Sequence, residues 1–70
     1  MTKTYVITGS TSGIGKNLVE ELCENNIIFA GYRNPKHEEM LKGISQNIYP
    51  FYIDYSKPET IKLACDYIIS

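Results

Sequence analysis

The chain has 70 residues and a mass of 8.0 kDa, which indicates one small domain or part of one. Its composition, 43% hydrophobic and 21% charged residues, excludes a disordered chain. Seven basic and eight acidic side chains leave a formal net charge of −1, which argues against a nucleic-acid partner, and no apolar run approaches the roughly 18 residues of a membrane span. The two cysteines, Cys23 and Cys65, have no metal-ligand spacing and favour a reducing, cytoplasmic compartment.

The first predicted element is a buried strand over residues 5–8, because its β-branched and aromatic residues do not alternate with polar ones. A loop rich in glycine and hydroxyl groups follows from Gly9. From Ile14 onward apolar residues recur every four positions, which predicts an amphipathic helix that ends at Asn25 and Asn26.

A second strand is predicted over residues 27–30, followed by a turn over residues 31–35. The Asn-Pro pair at the end of this turn suits a helix cap and a first helical residue. The pattern then predicts a short helix over residues 36–42, which Gly43 stops.

A third strand is predicted over residues 48–53, at a sheet edge because Pro50 has no backbone N–H. Ser56 and Glu59 have the spacing of a capping box and open a third helix. One side of this helix carries its apolar residues, namely Ile61, Ala64, Cys65 and Ile68. The alternation of strands and helices predicts an α/β fold with a parallel sheet and right-handed crossovers.

The main functional signal is Gly9-x-x-x-Gly13-x-Gly15 between a predicted strand and a predicted helix. In such a loop the first glycine permits a sharp turn, the second lets a pyrophosphate approach the backbone, and the third allows close packing of the helix. The helix N-terminus adds free N–H groups for an anion. Three hydroxyl side chains offer further donors, namely Ser10, Thr11 and Ser12.

A nucleotide-triphosphatase phosphate loop is the rival interpretation of this segment, since Gly15 is followed by Lys16. Gly9 lies six residues before Gly15, whereas that motif requires five. Asn17 also stands where the motif places the hydroxyl that binds magnesium. The spacing therefore favours the dinucleotide loop.

The segment Thr8-Gly9-x-x-x-Gly13-Ile14-Gly15 resembles the cofactor loop of the short-chain dehydrogenases/reductases. The resemblance implies a Rossmann-type βαβαβα unit with strand order 3-2-1. It covers residues 1–70 as the N-terminal part of a dinucleotide-binding domain, truncated before the fourth strand. By this resemblance the cofactor loop comprises Gly9, Ser10, Ser12, Gly13, Ile14 and Gly15.

The resemblance also places a coenzyme-selecting position at the end of the second strand, occupied here by Tyr32, Arg33 and Asn34. It places an adenine-contacting aspartate after the third strand, where Asp54 is followed by Tyr55. Relatives that prefer NAD carry an acid at the selecting position. Because Arg33 can instead hold a 2′-phosphate, we expect NADP(H) in preference to NAD(H).

The function implied is NADP(H) binding within an oxidoreductase that transfers a hydride between nicotinamide and a carbonyl or alcohol carbon. The family's catalytic serine, tyrosine and lysine are absent, so the 70 residues alone are expected to be inactive. The string from Tyr32 to Lys36 has the Tyr-x-x-x-Lys spacing, but a strand end and a proline prevent the two from sharing a helix face. The alternative is a non-catalytic nucleotide-binding module or a truncated relic complete at 70 residues.

The same resemblance makes the first strand central in the family's sheet, between the second and fourth strands. Without a fourth strand, residues 5–8 become an exposed edge. We therefore expect self-association through this edge, besides binding of the dinucleotide.

Overall fold

The computed structural model describes residues 2–11 and 13–69, and in it strands alternate with helices along the chain. The elements are β1 (Thr4–Ile7), α1 (Gly13–Leu22), β2 (Ile27–Tyr32), α2 (His37–Ile44), β3 (Ile48–Tyr52) and α3 (Pro58–Ile69). The strands form one parallel sheet in the order β1-β2-β3. The predicted α/β fold and strand order are therefore confirmed, and the arrangement is Rossmann-like.

Two helices cover one face of the sheet, and the third covers the other face. The core between the sheet, α1 and α2 contains Val19, Ile28, Ala30 and Leu41, all of which are fully buried. Phe29 lies between Ile28 and Ala30 in β2 and therefore points to the opposite face. There its ring meets that of Tyr67 in α3 edge-on, with centroids 5.8 Å apart.

The outer strand β3 carries Pro50 on its free edge. Ile28 donates its N–H to the carbonyl of Asn47, so in β3 every second residue from Asn47 bonds to β2. Pro50 is out of that phase and faces outward, where its missing N–H removes no bond to β2. The predicted edge position of Pro50 is confirmed.

The prediction that the first strand is fully buried was wrong. Exposed and half-buried residues alternate along β1, and Val6 is 51% exposed. The reason is that β1 has a neighbour on one side only, and α3 packs against the β2–β3 side of the sheet.

Helix α1 ends at Leu22, earlier than the predicted end at Asn25 and Asn26. The Asn26 side chain donates to the Leu22 carbonyl at 2.8 Å and accepts the N–H of Lys3 at 3.0 Å. Asn26 thus caps the last turn and ties it to the start of β1, so the helix cannot continue through it.

Strand β2 runs through Tyr32, whereas the sequence predicted a turn from residue 31. Gly31 and Tyr32 pair with Phe51 and Tyr52 of β3, and this pairing extends the strand. Gly43 does not stop the second helix, which continues to Ile44.

The start of α3 also differs from the prediction. The expected capping box at Ser56 does not form, because the Ser56 hydroxyl donates to the carboxylate of Asp54 at 2.7 Å. Pro58 is instead the first helical residue, a position that its missing N–H suits. Cys65 is exposed, although the sequence places it on the apolar side of this helix, whereas Cys23 is buried. Within residues 2–11 and 13–69, no helix is long and apolar enough to cross a lipid bilayer.

Candidate functional site

The parallel sheet brings three predicted segments to one edge of the molecule. The glycine loop follows the carboxyl end of β1, Arg33 follows β2, and Asp54 follows β3 shortly after its end. In open α/β sheets ligands bind outside the carboxyl ends of the strands. These segments therefore lie on the edge where ligands bind in sheets of this kind.

Three glycines determine the shape of the loop between β1 and α1. Gly9 and Gly13 have φ angles of +63° and +57°, values that other residues adopt only at a cost. A Cβ on Gly15 would overlap the carbonyl oxygen of Gly9, whereas nothing lies within 4 Å of a Cβ placed on Gly13. The first turn of α1 thus packs at Gly15 against the start of the loop at Gly9. At Gly13 the space that a side chain would occupy is empty.

The remaining predicted loop residues differ in exposure. Ser10 is fully buried, and its hydroxyl lies 2.8 Å from the Ile7 carbonyl and 2.9 Å from the Gly31 carbonyl. Ile14 is 78% exposed at the start of α1. Ser12 lies outside the described residues. The Ser10 hydroxyl is therefore bonded to the sheet, and Ile14 is free to meet a ligand.

Tyr32 at the end of β2 is half-buried on the side of the sheet that carries α2. Its ring centroid lies 6.1 Å from that of Tyr52. Burial raises the pKa of Tyr32 above its ordinary value, and the negative charge of Glu38 acts in the same direction. The structure confirms that Tyr32 ends a strand and that Lys36 precedes α2, so they do not share a helix face.

Arg33 and Asn34 form the bend between β2 and α2, and both side chains are exposed. The Asn34 carboxamide oxygen accepts the N–H of Lys36 at 3.0 Å, and its backbone carbonyl accepts that of His37 at 2.9 Å. These bonds fix the turn, so that Arg33 projects from a short, ordered segment.

Asp54 is held in a turn before α3. Its carboxylate accepts the hydroxyl of Ser56 at 2.7 Å and the N–H of Ser56 at 3.0 Å. The two bonds from Ser56 lower the pKa of Asp54, and the charges of Lys57 and Arg33 lower it further. Asp54 is therefore anionic at neutral pH. Tyr55 beside it is 66% exposed.

Two residues that the sequence analysis did not single out support this edge. The hydroxyl of Thr60 accepts the N–H of Asp54 at 2.9 Å and contacts the carbonyls of Asp54 and Lys57. A Cβ on Gly31 would lie 3.0 Å from the Phe51 ring. An isolated glycine in an apolar strand is a recognisable signal of close approach, whereas nothing in the sequence identifies Thr60.

A separate groove of about 490 Å³ runs beside the outer edge of β3, between α2 and α3. Among the predicted site residues that the structure describes, Tyr32 alone lines it, and none of the described residues of the glycine loop does. Among the described residues, no group of acidic, histidine or cysteine side chains could hold a metal ion.

The carboxyl edge presents three groups to a ligand. Gly13 is exposed, Arg33 is an exposed cation, and the carboxylate of Asp54 is a hydrogen-bond acceptor. No family model matches the chain, and no curated protein matches it.

Proposed function

We propose that the chain is an NADP(H)-binding segment of an oxidoreductase similar to the short-chain dehydrogenases/reductases. The observation that carries this proposal is the loop between β1 and α1. Gly9 and Gly13 have positive φ angles, and Gly13 is exposed. The exposed Arg33 on the same edge supports NADP(H) over NAD(H).

Each group on the edge has a distinct role in this proposal. Backbone N–H groups near Gly13 and the start of α1 would hold the pyrophosphate. Arg33 would donate to the 2′-phosphate, and Asp54 and Tyr55 would lie beside the adenine. The coenzyme would supply the hydride when bound.

The proposed oxidoreductase acts on a carbonyl or alcohol, and this chemistry needs an acid or base placed at the reacting carbon. We assign no such role to any residue of the chain. Tyr32 ends β2 and Lys36 precedes α2, so the two side chains do not share a helix face and neither is assigned a catalytic role.

Both described cysteines are free thiols, which supports the proposed cytoplasmic location.

Arg33→Ala tests the coenzyme assignment. Hydrogen bonds to charged groups contribute about 1.5–3 kcal/mol, and solvent around the exposed Arg33 favours the lower end. NADP(H) affinity should therefore fall about tenfold, while NAD(H) affinity stays within about twofold because NAD(H) has no 2′-phosphate. Dissociation constants for both coenzymes should be measured at two salt concentrations.

Lys36→Ala is the matched control, since Lys36 is an exposed cation three residues farther along the same segment. It should leave both affinities nearly unchanged. Equal affinity of the unmodified chain for the two coenzymes, or equal losses in Arg33→Ala, would contradict the role of Arg33. Absence of binding to either coenzyme would contradict the proposed function itself.

We further propose that the chain self-associates through the open edge of β1. The Lys3 carbonyl accepts the N–H of Ile27, so alternate residues of β1 from Lys3 bond to β2. Val6 is out of that phase, and its N–H points away from β2. This edge has no proline or lysine within β1 to block pairing, whereas β3 has Pro50.

Val6→Pro tests this edge, because it removes an outward N–H without removing a bond to β2. Sedimentation velocity over a range of concentrations should show oligomers for the unmodified chain and a monomer for Val6→Pro. Tyr49→Ala, at an exposed aromatic residue on β3, should leave the oligomers intact. A monomeric unmodified chain would refute the proposed self-association.

A further inference from the structure

Ser10 has the most heavily bonded side chain of the glycine loop among residues 8–11 and 13–15. Its side chain is fully buried. Its hydroxyl lies 2.8 Å from the Ile7 carbonyl and 2.9 Å from the Gly31 carbonyl, and its backbone N–H donates to the same Gly31 oxygen at 3.2 Å. A single residue thus joins the end of β1 to the end of β2 at the point where the loop begins.

The geometry leaves the hydroxyl no capacity to donate to a ligand. A serine hydroxyl has one hydrogen, and two carbonyl oxygens already lie within hydrogen-bond distance of it. A phosphate would have to compete with both at a position that solvent does not reach. The backbone at Gly13 is the better donor, because Gly13 is exposed and a Cβ built on it would have no contact within 4 Å.

The Gly31 carbonyl is a fixed anchor for this contact. Gly31 pairs with Phe51 in β3, and a Cβ at Gly31 would lie 3.0 Å from the Phe51 ring and 3.2 Å from the Ile53 side chain. The strand continues from Gly31 through Tyr32 to Arg33. Ser10 therefore links the glycine loop to the segment that carries Arg33.

We propose that Ser10 is a positioning residue, which fastens the glycine loop to β2 and sets the place of its N–H groups for the pyrophosphate without contacting the coenzyme. This inference rests on the proposed coenzyme binding and replaces the expected direct contact between Ser10 and the phosphates. Loss of the hydroxyl should loosen the loop in the free protein, before any ligand is present.

The test compares Ser10→Ala with the unmodified 70-residue chain in two measurements. The first is amide hydrogen exchange of the free protein, in which the amides of residues 9–11 should exchange about tenfold faster. The second is the affinity for NADPH and for adenosine 2′-phosphate, a probe that lacks the pyrophosphate. The NADPH dissociation constant should rise about tenfold, and that of the probe by less than twofold.

Ser45→Ala is the matched control. The Ser45 hydroxyl likewise bonds to the local backbone, although it accepts, from the N–H of Asn47 at 3.1 Å, and it lies before β3 at the opposite end of the sheet. It should change neither the exchange of residues 9–11 nor either affinity. If Ser10→Ala does not fold, Ser10→Cys keeps a similar volume with a weaker donor, and the same changes should appear at about threefold.

The outcomes separate the possible roles of Ser10. Faster local exchange with a selective loss of NADPH affinity supports the positioning role. Unchanged exchange with weaker NADPH binding would overturn it in favour of a direct contact. Faster exchange throughout the chain, with equal effects on both ligands, would overturn it in favour of a general role in stability. If the unmodified chain binds neither ligand, the proposed function fails, whereas the exchange data still test the fastening of the loop.

Discussion

Replacement of Gly15 by alanine tests the packing of the glycine loop. The added Cβ would overlap the backbone oxygen of Gly9, and a backbone atom cannot rotate away as a side chain can. Overpacking costs about 1–3 kcal/mol, and we expect the upper end because the obstacle is backbone. Alanine recovers about 1 kcal/mol of helix propensity, so the net free energy of unfolding should fall by about 2 kcal/mol.

The chain contains its own control for this experiment. Gly43 lies within α2, and nothing approaches within 4 Å of a Cβ placed there. Gly43→Ala should therefore raise the free energy of unfolding by about 0.5–1 kcal/mol. The two substitutions add the same methyl group to a helical glycine and should change stability in opposite directions.

Thermal melts at one protein concentration measure both effects. In a chain of this size about 1 kcal/mol corresponds to about 4–8 °C, so Gly15→Ala should melt about 8–16 °C lower. Gly43→Ala should melt about 2–8 °C higher. A Gly15→Ala melt equal to that of the unmodified chain would refute the close approach of α1 to the loop.

Three further predictions concern single groups. The pKa of the Asp54 carboxyl should lie below its ordinary value. Ser56→Ala should raise this pKa, since it removes the hydroxyl whose hydrogen bond lowers it most, and NMR titration measures both. Because the pKa of Asp54 is lower in the folded chain than in the unfolded chain, ionised Asp54 stabilises the fold above about pH 4, and this effect is lost as the pH falls through the folded pKa. The melting temperature of Asp54→Asn should lack this loss at acid pH. A thiol reagent should modify exposed Cys65 quickly and buried Cys23 only on unfolding, and equal rates would contradict the packing of Cys23. The purified chain should not consume NADPH with any carbonyl compound, and turnover that Tyr32→Phe abolishes would show that Tyr32 is catalytic.

The order of elements was predictable because it depends on local pattern, whereas the strand order was predicted only from the family resemblance. The apolar strand residues, the four-residue repeat after Ile14 and the punctuating glycines all act within one element. The errors arose where distant residues decide the outcome. Asn26 ends α1 early because it also bonds Lys3, and β2 is longer than predicted because β3 pairs with Gly31 and Tyr32.

The burial errors have a common cause in the size of the sheet. A strand with neighbours on both sides and helices on both faces is buried, and β1 has neither condition in full. Likewise α3 packs against β3 and the Phe29 ring, so Cys65 is left exposed. Residue patterns describe how apolar a segment is, but the partner elements determine how much of it is covered.

The glycine loop shows how far sequence reasoning reaches into a functional site. Positive φ at Gly9 and Gly13 has a residue-type signature, because other residues adopt that backbone conformation at a cost. The contact of Ser10 with Gly31 has none, since a serine is equally suited to face a phosphate or a carbonyl. The direction of its hydroxyl depends on how closely β2 approaches the loop, which in turn depends on the small size of Gly31 against Phe51. A serine in a glycine loop therefore predicts a ligand contact only where its side chain reaches solvent, and Ser10 does not.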